Sequence, residues 1–135
     1  MTIPTDLQIL KLIYNKYYKT FTSFDRDNPT RESKNYVPIN IVELGDSLGV
    51  DGDIIFSRLY YHLEKKYGYK NEDGSVLHFF VLKAGDDLHC IHLPYAATVL
   101  ADLQYENKKF QTITLIAIGS LLFSVAAFTI SLFAI

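Results

Sequence analysis

Four side chains close together in the sequence, His78, His89, Cys90 and His92, are of the types that bind zinc, through imidazole nitrogen or thiolate sulfur. Whether they could act as one centre depends on convergence. A reversal of the chain at Gly85-Asp86 sets Lys83 opposite Leu88, Val81 opposite Cys90, Phe79 opposite His92 and Leu82 opposite His89. Successive strand side chains point to opposite faces, so Cys90 and His92 share one face while His78 and His89 share the other, near opposite ends. The expectation is packed or half-exposed strand residues and no metal site.

Other chemistry is equally sparse. The carboxylate pairs Asp51/Asp53 and Asp86/Asp87 fall at a helix start and a turn, where Asp serves local hydrogen bonding. Gly45, Gly49 and Gly52 read as helix-end and turn glycines, without the Lys-Ser/Thr that completes a phosphate loop. Neither a Gly-x-Ser-x-Gly elbow nor a His-Glu-x-x-His helix occurs. Cys90, the single cysteine, cannot form an internal disulfide and fits a reducing compartment. We expect no enzyme and no cofactor.

The elements that would position these residues are legible. Thr5 with Gln8 forms a capping box, and Leu7, Leu10, Ile13, Tyr14, Tyr17 and Phe21 recur at helical spacing, predicting a helix over about residues 6–20. Residues 24–35 are polar and contain Asn28-Pro29, so they read as a surface connector. A short extended segment follows at 36–39. Asn40 then caps a helix whose buried stripe is Ile41, Leu44 and Leu48, ended by Gly49. Asp51 or Asp53 starts another, with Ile55, Leu59 and Leu63 inward and Gly68 at its end. Residues 75–82 and 88–93 predict a hairpin, and Pro94 opens a fourth helix through Tyr95, Val99, Leu100 and Leu103.

This order of helix, strand, helix, turn, helix, hairpin and helix resembles the winged helix-turn-helix domains over about residues 6–106. Residues 48–69 are most similar to the turn and third helix of that family, ending in Leu-Glu-Lys-Lys-x-Gly at Leu63 to Gly68. The expected fold class is therefore α+β: a winged helix with a three-helix core, a two-stranded wing and a fourth helix continuing into a single transmembrane helix. The resemblance implies a recognition face on the third helix, at Asp51, Asp53, Ile54, Ser57, Arg58 and Tyr61. Two carboxylates precede its one arginine, which disfavours approach to phosphates. Tyr60, Tyr61, Tyr67 and Tyr69 cluster around the same helix, and tyrosines are enriched in protein interfaces. Asp53, Ser57, Arg58, Tyr60, Tyr61 and Lys65 are the candidate face for a protein partner or, less favoured, DNA.

Thr112 to Ile135 contains no charged residue over 24 positions, and all 13 Lys and Arg and 15 Asp and Glu lie before it. As a helix it spans about 36 Å, enough for a hydrocarbon core of about 30 Å. The expected organisation is a cytoplasmic domain at 1–106, a juxtamembrane segment at 107–111 and a transmembrane helix at 112–135. No secretory signal is evident at the N-terminus, and the apolar stretch ends with the sequence, which predicts post-translational insertion as a tail anchor. Lys108 and Lys109 place the N-terminal domain in the cytoplasm by the positive-inside tendency. Ala117, Ser120, Ser124, Ala127 and Ser131 form a small-residue face suited to packing on another membrane helix, with homo-oligomerisation as one consequence. Three functions compete: a membrane-held domain that binds a protein partner, a membrane-tethered DNA-binding regulator, and a membrane-perturbing toxin or defence effector.

Overall fold

A computed structural model describes residues 2–134 and divides the chain into two units, residues 1–100 and 101–135. The first mixes helices with small antiparallel sheets. Helix α1 (Asp6–Thr22) starts at the expected capping box: the Thr5 hydroxyl accepts from the Gln8 amide, and the Gln8 side chain accepts from the Thr5 amide. It runs two residues further than expected. Its fully buried residues are Ile9, Leu10 and Ile13, so the inward face lies beside the anticipated Leu7-Tyr14-Phe21 line and includes Ile9.

The connector after α1 is exposed apart from half-buried Phe24 and Ser33 and the buried Arg31, which is 8% exposed. Its guanidinium donates to the carbonyls of Thr20 and Phe21 at the end of α1 and to those of Ser33 and Lys34. A cation there satisfies free carbonyls and complements the helix dipole. The loop is thereby fastened to the helix it leaves. Sequence composition could mark the loop as polar but could not single out one of its charges as buried.

Strand β1 (Tyr36–Pro38) leads to α2 (Ile41–Leu48), capped by Asn40 and ended by Gly49 at φ +72°. Gly45 requires a correction. It sits inside α2 rather than at an end, and a Cβ there would lie 2.7 Å from the Val50 carbonyl and 2.9 Å from the Gly52 amide. The turn between α2 and the next helix therefore rests directly on the backbone of α2.

The third helical run comprises α3 (Gly52–Ser57), capped by Asp51, a π-helical segment (Arg58–Leu63) and α4 (Glu64–Tyr67). Ile55, Leu59 and Leu63 are fully buried. At 3.6 residues per turn a strict four-residue repeat drifts by about 40° at each step. The wider i→i+5 turn takes up that drift and keeps all three on the core face.

The predicted first hairpin strand is divided. β2 (Tyr69–Lys70) pairs with β3 (Val76–Leu77), whereas β4 (Phe80–Ala84) pairs with β5 (Asp87–His92), so Lys83 and Ala84 are strand rather than turn. The break occurs at His78 and Phe79 because the Glu64 carboxylate accepts from the amides of both Phe79, at 2.7 Å, and Phe80, at 2.9 Å. The β4–β5 register is the one expected, with Lys83 opposite Leu88 and Val81 opposite Cys90 around a turn at Gly85-Asp86. β1 joins the outer side of β5 to give the order β1-β5-β4.

Helix α5 (Leu93–Phe133) begins where the His92 ring accepts from the Tyr95 amide, and the Tyr95 hydroxyl donates to the Tyr67 carbonyl. Leu93, Ala96, Val99 and Leu100 complete the core of the first unit. In the second unit Leu103 is half-buried and every other described side chain through Ala134 is exposed. The helix is long and apolar enough to cross a membrane.

Candidate interaction surface

The six residues expected to form one face are distributed over four settings. Tyr60, Tyr61 and Lys65 line an open groove of about 680 Å³ against β4, together with Phe80, Leu82 and Lys83. Asp53 lies instead in a second groove of about 710 Å³, between α2, the start of α3 and β5. Ser57 is exposed. Arg58 turns toward α1, where Nη1 is 2.8 Å from Asp6 Oδ1 and both side chains are about one quarter exposed. His62 approaches the same carboxylate at 3.8 Å.

Phe56, which the periodicity did not single out, connects the two grooves. It stacks on Tyr60 with ring centroids 5.3 Å apart and meets Tyr61, Phe80 and His89 edge-on. His89 reaches this cluster by adopting φ +52°, the left-handed region that β-strands exclude. Its pairing with Leu82 is missing from the β4–β5 ladder, while on the opposite edge of β5 its carbonyl accepts from the Ile39 amide. No sequence signal marks such a residue, since neither its positive φ nor its contact with Phe56 is written in local spacing.

Of the tyrosines, Tyr67 is half-buried between Phe79 and Tyr95, whereas Tyr61 and Tyr69 are exposed. The hairpin histidines and cysteine have separate local tasks. Cys90 is fully buried, and burial pushes its thiol up to about 11, which suppresses thiolate chemistry at neutral pH. His92 caps α5, and burial holds its imidazole below the ordinary value, preserving the neutral form that accepts the Tyr95 amide. His78 Nδ1 lies 2.8 Å from Glu64 Oε1. Among the described residues no group of three or more His, Cys, Asp or Glu is placed to hold a metal ion.

In the second unit Ala117, Ser120, Ser124, Ala127 and Ser131 are all exposed, as are Lys108 and Lys109. Ser124 donates to the Ser120 carbonyl of its own helix at 2.9 Å, and Thr112, Thr114 and Thr129 likewise donate four residues back. The Ser124 proton is thus used within its own helix, leaving its oxygen as an acceptor.

Comparison with protein-family models, characterised sequences and solved structures finds no match to this chain. Function must be read from the surface itself.

Proposed function

We propose that this protein is a membrane-anchored interaction module: a winged-helix-type domain that binds a protein partner and is held at the cytoplasmic side of a membrane by the apolar part of α5. The winged-helix assignment is supported by the helix, strand, helix-turn-helix, hairpin and helix order, and by β1 joining a β5–β4 hairpin. One observation carries the functional reading. Val42, Ile54, Tyr61, Leu82 and Leu88 are large apolar side chains with exposures from 44% to 66%, gathered around the third helical run and the hairpin. Their neighbours in α2 and at the start of α3 are Asp46, Asp51 and Asp53, and the only arginine of the third run is paired with Asp6. Such a face suits a protein better than a phosphate backbone.

The small-residue face of α5 supports association with another membrane helix, with a second copy as one candidate. The test is photo-crosslinking of the full-length protein in its own cells from a benzophenone residue at position 61, with position 18 as control. A protein crosslinked from position 61 alone supports the module. Sequence-specific DNA copurifying with the protein would favour the tethered regulator instead. Growth inhibition on expression, abolished by Ser120→Leu with Ser124→Leu and unaffected by changes at Tyr61, would favour the membrane-perturbing effector.

A further inference from the structure

The groove between α2, the start of α3 and β5 has an uneven chemistry. Its walls include Ile39, Ile41, Val42, Phe56 and Leu88, of which Val42 and Leu88 stand 64% and 62% exposed. Its rim carries Asp46, Asp51 and Asp53, and neither Lys nor Arg lines it. Glu43 on the same helix is paired with Lys16, 2.8 Å away, whereas among the described residues none of the three aspartates has an ion-pair partner. Asp51 uses one oxygen on the Asp53 amide as the α3 cap, which leaves Asp46 and Asp53 as the carboxylates free for an incoming group.

From this complementarity we propose that the groove binds a partner-protein segment in which an apolar side chain is flanked by Lys or Arg. The apolar residue packs between Val42, Phe56 and Leu88 while the cations meet Asp46 and Asp53. A small cationic molecule is a poorer occupant, because the trough is open and its walls are too exposed to cover most of a small ligand's surface. A linear segment extends along it and buries both Val42 and Leu88. Steering by the carboxylates makes association fall with ionic strength.

The proposal rests on the protein-binding reading, and one experiment separates their fates. The full-length protein in lipid nanodiscs is panned against a randomised twelve-residue peptide library, and selected peptides are measured by fluorescence anisotropy at low and high salt. The expected winners carry Lys or Arg around an apolar centre. They lose at least tenfold in affinity to Asp46→Asn with Asp53→Asn or to Leu88→Ala, and keep their affinity for Tyr18→Ala. Selection of neutral or acidic peptides, retention of affinity by the Asn double variant, or no enrichment over empty nanodiscs overturns the proposal. Enrichment of sequences matching residues 105–110 of this chain would overturn the commitment to a foreign partner in favour of a second copy. A protein crosslinked from position 61 together with neutral or acidic selection, retained affinity or no enrichment would leave the module standing and remove only the groove.

Discussion

Arg58 and Asp6 are 52 residues apart in sequence, yet their side chains meet at 2.8 Å and tie the first turn of α1 to the π-helical segment of the third run. Arg58 is thereby withdrawn from the face on which a nucleic-acid reader would present it. Arg58→Ala leaves Asp6 partly shielded with only the longer His62 contact, and should destabilise the domain by about 1–2 kcal/mol. Asp6→Asn with Arg58→Gln, which removes both charges, should recover part of that loss. Thermal unfolding of the full chain in detergent micelles measures both, and equal stability of Arg58→Ala and the parent would refute the role.

Glu64 supplies acceptors for two backbone amides that the divided strand leaves without partners. Glu64→Ala should cost about 2–3 kcal/mol, the scale of hydrogen bonds to a charged group together with unsatisfied amides. Hydrogen exchange at Phe79 and Phe80 should accelerate by more than at Val81. Uniform acceleration across the hairpin would show that the carboxylate does not hold this junction.

His92 makes stability depend on pH with a definite sign. Burial lowers its folded pKa from the ordinary 6.5, so below 6.5 the unfolded chain binds more protons than the folded one. The contribution is fully present above pH 6.5 and is lost as pH falls through the folded value. His92→Asn retains a cap acceptor without titrating in this range and should flatten the melting temperature between pH 6.5 and 5. An unchanged slope in that variant would assign the acid sensitivity to another group.

Gly45→Ala should be more damaging than a helix-favouring change normally is. Its Cβ would press on the Val50 carbonyl and the Gly52 backbone, a form of overpacking that costs about 1–3 kcal/mol. Urea unfolding midpoints of Gly45→Ala and a surface control, Ser47→Ala, decide the matter: a gain in stability at position 45 would mean that the turn can yield.

The sequence by itself determined the helices, the caps at Thr5 and Asn40, the hairpin register and the long apolar C-terminal helix, because each is written in short-range spacing or in composition. Tertiary structure decided what spacing cannot encode. The burial of Arg31, the withdrawal of Arg58 to Asp6, the capture of two amides by Glu64 and the left-handed His89 all join segments distant in the chain. The candidate face was only partly legible for the same reason. The family resemblance and the tyrosine clustering bring out Tyr60, Tyr61 and Lys65, but their groove exists only because β4 lies opposite, and Asp53 belongs to another groove because α2 and β5 stand beside it. Local pattern specifies which elements form, whereas the pairing of polar groups and the shape of a surface depend on contacts formed when those elements pack.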